Sequence, residues 1–130
     1  MLLVKTEVRP SPIHGLGLFA AEYIAAGTVI ARRDDRFAIY FTDEQVKTLP
    51  PHAAEYMQTY AWREPDGRWC ASLDHSKFIN HSFAPNTVLT VSDDGWHETR
   101  AAYDIGFGAE LCEDYRTFDP DFEQYGKEWK

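Results

Sequence analysis

Turn-forming residues divide this chain so finely that the runs between them can only be short strands or short helices. Val4 to Arg9, Thr28 to Arg33, Arg36 to Phe41, Arg68 to Ser72, Thr87 to Ser92 and Trp96 to Ala102 are rich in β-branched and aromatic side chains. Most are bounded by glycine, proline or aspartate, so the expectation is a mainly β chain with a few short helices. Asp93-Asp94-Gly95 between the last two runs signals a hairpin, because glycine supplies the positive φ of a tight turn, and Pro65-Asp66-Gly67 reads the same way. A first helix opens at Thr42, which can cap it while Gln45 reaches back. Pro50-Pro51 breaks it. A second runs from His52 to about Trp62 and sets Ala53, Tyr56, Met57 and Tyr60 on one face as a core stripe. Asp119-Pro120 reads as an N-cap followed by proline at the first helical position, opening a terminal helix over Asp121 to Trp129.

Composition narrows the function classes. A length of 130 residues suits a single domain over 1–130, and 44% hydrophobic residues suffice to build its core. Glu22 interrupts the longest apolar stretch, Leu16 to Ala31, which argues against a membrane span, and Met1 to Glu7 lacks the pattern of a signal peptide. Cys70 and Cys112 are too few for a disulfide framework or a self-contained zinc site. A cytoplasmic location is the expectation. The net charge of −8 opposes a phosphate backbone unless the charge is strongly segregated, so no nucleic-acid partner is expected. Much of the acidity gathers after Ala109, where Glu113, Asp119, Asp121 and Glu123 can draw a basic peptide or simply form a solvated face.

Three segments carry more glycine and polar chemistry than turns alone require. In His14-Gly15-Leu16-Gly17-Leu18-Phe19, closely spaced glycines let backbone groups approach a ligand where a Cβ would obstruct it. The third glycine and strand-to-helix setting of a dinucleotide fingerprint are missing, and alone the segment reads as a turn. Lys77-Phe78-Ile79-Asn80-His81-Ser82-Phe83-Ala84-Pro85-Asn86 concentrates hydrogen-bonding side chains between an apolar pair and the next strand. Such groups satisfy local backbone, or meet the amino group and ring nitrogens of a buried purine. Ala102 to Tyr115 turns at its glycines and feeds a short extended run ending on a tyrosine, which in isolation is a packing residue with a wet hydroxyl. Asp74, His75 and His81 follow no strong metal-ligand spacing.

Taken together and in this order, the three segments resemble the signatures of the SET-domain family of protein-lysine methyltransferases. Gly15-Leu16-Gly17-Leu18-Phe19, then Phe78-Ile79-Asn80-His81-Ser82 with Pro85-Asn86, then Asp104-Ile105 to Gly108, Glu110-Leu111 and Asp114-Tyr115 carry the likeness, which spans Lys5 to Tyr115. The resemblance implies a β-clip-like fold of several small curled sheets, with a core over residues 5–115, a closing segment over 116–130 and the last signature threaded beside Asn80-His81-Ser82 as a pseudoknot. It implies S-adenosylmethionine as cofactor and S-adenosylhomocysteine as product. Gly15, Leu16 and Gly17 would hold the methionine end and Asn80 and His81 the adenosine. Tyr115 would be the active-site tyrosine, bordering the cofactor as well. Leu89, Glu113 and Phe118 fall to the substrate channel. The implied partner is a protein with an accessible lysine, in a basic segment if the acidic residues draw it.

Two departures from the family pattern matter. Phe83 stands where many members have the cysteine of a zinc site, and no cysteine follows Cys112, so no metal is expected. Members without that zinc close the site with C-terminal aromatics. Phe118, Phe122, Tyr125 and Trp129 can serve here, with Phe122 and Trp129 as a lid over the adenine or the channel, or they can merely dock the terminal helix. Glu113 replaces the usual Phe or Tyr. It can attract the substrate ammonium, spoil the channel, or be turned to solvent by a local twist. The implied activity is methyl transfer to a lysine. The competing reading is a catalytically impaired SET-like module that binds a basic protein segment.

Overall fold

The computed structural model describes residues 1–122. Among them the chain forms four small sheets. β1 (Thr6–Pro10) and β2 (Leu16–Ala20) make an antiparallel hairpin. β3 (Val29–Arg32), β9 (His97–Ala101) and β8 (Thr87–Val91) form an antiparallel sheet in the order β3-β9-β8. A second antiparallel sheet runs β4-β6-β5, from Ala38–Phe41, Trp69–Ser72 and Trp62–Arg63. Finally β7 (Asn80–His81) pairs in parallel with β10 (Cys112–Glu113).

Local sequence accounts for much of this. Gly95 takes φ 82° in the turn joining β8 to β9, and Gly67 takes φ 90° between β5 and β6. Thr42 and Gln45 form a complete capping box at the start of α1 (Asp43–Lys47). Proline opens α2 (Pro51–Tyr60), where a missing N–H costs nothing. This helix ends two residues short of Trp62, because Trp62 and Arg63 pair with Cys70 and Trp69 as β5. Its expected core stripe is only partly buried: Met57 is 5% exposed, Tyr56 is 44% exposed, and Tyr60 stacks edge-on against Phe78.

The glycine-rich segment is the main departure. Gly15, at φ 45°, does sit in a turn, but the chain becomes strand β2 immediately afterwards. Arg9 and Val8 pair with Gly17 and Leu18 on one side. On the other, Leu18 O accepts from Leu111 N at 2.8 Å and Ala20 N donates to Ala109 O at 2.8 Å. Leu18, Ala20, Ile24, Ile30, Ile79, Ala101, Ile105 and Leu111 then close into the core. Burying each large side chain contributes about 1.5–3 kcal/mol.

Residues 109–113 are thus inserted between earlier stretches of chain. β2 lies on one flank and β7 on the other, and the Asn86 side chain bridges the segment by accepting from Cys112 N at 2.9 Å and donating to Glu110 O at 2.8 Å. Thr87 Oγ1 adds a hydrogen bond to Cys112 O. Asp119 Oδ1 accepts from Asp121 N at 2.9 Å, as a cap does. The rest of the expected terminal helix, with Glu123, Tyr125 and Trp129, lies outside the described residues. Asn86→Ala strands two backbone groups at the insertion and should cost about 1–3 kcal/mol. Urea unfolding should show a lowered midpoint with an unchanged slope.

Candidate active site

Asn80 organises one side of the site. It is 5% exposed, and its Nδ2 donates to His14 O at 3.0 Å, Leu16 O at 3.2 Å and Glu110 Oε2 at 3.0 Å. One amide therefore fixes the glycine-rich turn against the 109–113 segment. Glu110 also accepts from Ser11 Oγ at 2.8 and 2.9 Å, and its carboxylate fills the space beside Gly17, where a Cβ would come within 2.6 Å of Oε2. Gly17 is needed for that close approach. Gly15 differs: nothing lies within 4 Å of where its Cβ would be.

Tyr115 begins a short 3₁₀ turn directly after β10, and its backbone N–H donates to His81 Nδ1 at 3.1 Å. The phenol donates to Ile79 O. Burial, and then the Glu113 carboxylate, hold the Tyr115 hydroxyl far above its usual pKa. It stays protonated. His81 is 3% exposed, and burial lowers its pKa below the usual 6.5, an effect opposed by Asp114. With Nδ1 accepting, the imidazole is neutral and carries its proton on Nε2, which has no hydrogen-bond partner among the described residues, and the ring lies 4.5 and 4.7 Å from Phe83 and Phe122 between centroids.

Two concavities meet at Tyr115. Gly15, Leu16, Asn80 and Tyr115 line a small pocket of about 40 Å³. Leu89, Thr99, Glu113, Tyr115 and Phe118 line a cavity of about 1020 Å³. His14, Thr59, Tyr60, Lys77 and Tyr115 border both. Gly17 and His81 line neither: Gly17 lies in β2, and His81 sits behind Tyr115. Phe122 also lines neither and packs on His81, whereas Phe118 stacks on Tyr115 at 5.4 Å and Trp62 at 6.4 Å. Trp129 lies outside the described residues. Tyr60 and Lys77 carry no sequence signal that marks them for this junction, because only the fold brings the end of α2 against the glycine-rich turn.

The SET-domain family profile matches residues 15–116. The chain belongs to the SET-domain family. Solved structures share its fold. A candidate histone methyltransferase of Plasmodium falciparum is 19% identical, with a TM-score of 0.61 over 88% of this chain and 95% of its own. A humanized mutant of the Chaetomium thermophilum Polycomb Repressive Complex 2, bound to an inhibitor, is 20% identical with a TM-score of 0.66. Apo ctPRC2 with mutations in Ezh2 is 21% identical with a TM-score of 0.69. Each of those two matches covers 93% of this SET domain but only 16% of the other chain. No curated protein sequence matches it.

The acidic residues of this SET domain are largely engaged. Asp119 is 8% exposed and Asp121 pairs with Arg63 at 3.1 Å. Asp74 accepts from Leu2 N, Ser72 and Ser76, which ties down the N-terminal residues. Glu113 is not turned to solvent: its Oε1 accepts from Thr99 Oγ1 at 2.7 Å inside the large cavity. Burial raises its pKa above the ordinary 4.5, against a smaller lowering by Thr99. A carboxyl whose pKa rises on folding adds stability below its unfolded value and loses it as pH rises through the folded one. Glu113→Gln, which mimics the protonated group, should therefore stabilise the domain at neutral pH and change little below 4.5. Chemical denaturation at both pH values checks the sign.

Proposed function

We propose that this SET domain binds S-adenosylmethionine and transfers its methyl group to a lysine side chain of a protein substrate. The observation that carries the reading is the position of Tyr115 on the wall between the small pocket and the large cavity. Two ligands entering from opposite sides would meet at its ring.

The residues present fit the cofactor's chemistry. Gly15 leaves open space beside the pocket, and Asn80 holds the His14 and Leu16 carbonyls in a fixed cradle. A pocket of about 40 Å³ holds little more than a water, so a nucleoside must also use the adjoining volume that shares His14, Tyr60 and Lys77. When bound, the cofactor supplies an electrophilic methyl group on a positively charged sulfur. Phe118, stacked on Tyr115, narrows the approach from the cavity side.

A lysine amine must be neutral to react, and at pH 7 its reference pKa near 10.4 makes neutrality cost about 4–5 kcal/mol. Tyr115 does not take that proton. Its own proton is committed to Ile79 O and its pKa is raised, so the lone pairs of the phenol oxygen are what it offers. They orient the amine toward the methyl carbon, and alignment of that kind lowers the barrier through lost freedom already surrendered on binding. The protein partner, its basic character and a cytoplasmic setting belong to this proposal as well.

Tyr115→Phe should bind S-adenosylmethionine with wild-type affinity by calorimetry and transfer methyl to a basic peptide about 10²-fold more slowly. Asn80→Ala should instead weaken cofactor binding at least about tenfold, or about 1.4 kcal/mol. Wild-type turnover by the Tyr115→Phe protein contradicts the assignment. Cofactor binding with no transfer by the wild type would favour the impaired binding module, for which the polar Glu113 in the cavity is the supporting observation.

A further inference from the structure

We propose that Glu113 receives the ammonium of the target lysine and takes its proton before methyl transfer, an inference that rests on the methyltransferase reading and deepens it. Glu113 lies two residues before Tyr115, and both side chains line the large cavity. Thr99 Oγ1, at 2.7 Å, is the one hydrogen-bond donor to the Glu113 carboxylate among the described residues, and none of their cations lies in ion-pair range of it. Two carboxylates more deeply buried than Glu113 are treated differently. Glu64 pairs with Arg33 at 3.2 Å, and Glu98 pairs with Arg32 at 3.3 Å and Arg100 at 2.7 Å. A desolvated carboxylate with a single hydroxyl donor and open volume before it is a cation position without its cation.

The surroundings define what that cation meets. Leu89 comes from β8 and Thr99 and His97 from β9, Cys112 precedes Glu113 on β10, Tyr115, Arg116 and Asp119 follow it, and Arg33, Glu64 and Cys70 lie elsewhere on the cavity wall. Arg33 is already held by Glu64 and Tyr40. At the desolvated Glu113 carboxylate the ammonium–carboxylate pair is the bound state, and amine plus carboxylic acid lie close above it, since two neutral groups avoid the cost of burying two charges. The proton moves from lysine Nζ to a Glu113 oxygen with no change in total charge. With the cofactor bound, the freed lone pair would take its methyl group, the C–S electron pair would stay on sulfur and the positive charge would pass to the methylated nitrogen. After product release Glu113 returns its proton to solvent. Its raised pKa favours this exchange by narrowing the gap to the amine.

The test uses the full chain, with isotope-labelled glutamate side chains and n-butylammonium chloride as the probe for a lysine side chain. The carboxyl resonance lost in Glu113→Gln, or in Glu113→Asp, belongs to Glu113. Its titration midpoint should fall by at least about one pH unit with n-butylammonium, the effect of an opposite charge in contact, and stay in place with n-butanol or sodium chloride. Thr99→Val should raise the midpoint and keep the response. A Glu113 resonance that ignores n-butylammonium overturns the proposal, whether or not the chain binds cofactor. Proton transfer is read from kcat/KM on poly-L-lysine. The wild type should be level between the Glu113 midpoint and about pH 10.4, whereas Glu113→Gln should climb about tenfold per pH unit across that range. Parallel profiles overturn the proton transfer. A response to n-butylammonium without any cofactor binding by calorimetry overturns the methyltransferase reading instead, and the proton-transfer step with it.

Discussion

The parallel ladder between Asn80-His81 and Cys112-Glu113 decides where the rest of the site sits. Two residues of pairing are too few to hold a strand alone, and the ladder survives because its neighbours are fixed from several directions. Asn86 and Thr87 clasp the Glu110 and Cys112 backbones, and Leu111 is sealed in the core against Leu18. Tyr115 follows directly and is caught by His81 through its amide and by Ile79 through its hydroxyl. The glycine-rich turn reaches the same place through Asn80, whose amide grips the His14 and Leu16 carbonyls. The three sequence signatures thus converge because each donates to or accepts from the Ile79–His81 stretch or the segment inserted beside it.

What was legible in the sequence divides along the range of the interactions involved. The β8–β9 turn at Gly95 and the Thr42–Gln45 capping box are written in neighbouring residues, and the structure contains both. β2 was not legible, because its extended form depends on β1 before it and residues 108–111 far along the chain. Periodicity misjudged Tyr56, which faces outward on a short helix that buries only Met57. At the site, a strand running on to Tyr115 was the expected reason for Glu113 to lie beside it; the strand instead ends at Glu113 and a 3₁₀ turn capped by Asp114 brings Tyr115 to the same cavity. Nothing in the sequence announces Thr99 as the partner of Glu113 or Tyr60 and Lys77 as the link between the two concavities. The acidic tail read as a docking field turns out to spend Asp119 and Asp121 on internal contacts.

Charge is handled unevenly in this domain. Buried Glu64 and Glu98 are neutralised by arginines, and His81 is kept uncharged among aromatic rings. Half-buried Glu113 instead faces a cavity with one hydroxyl donor and no paired cation among the described residues, at a cost in folding stability that grows with pH. Groups held in unfavourable electrostatic states tend to cluster where chemistry is done, since the same burial that destabilises a charge sharpens its response to a ligand. Tyr115, with its proton committed and its pKa raised, complements Glu113 in the proposed transfer: one would orient the amine while the other exchanges protons.

The proposed methyl transfer requires that Gly15, Leu16, Asn80 and Tyr115 frame a nucleoside-bearing cofactor. Amide NMR of the labelled chain titrated with S-adenosylhomocysteine tests it most directly. The account predicts shifts concentrated at residues 14–17, 79–81 and 115, with the β4-β6-β5 sheet unchanged outside the shared cavity. No perturbation, or perturbation confined to residues remote from Asn80 and Tyr115, would contradict it.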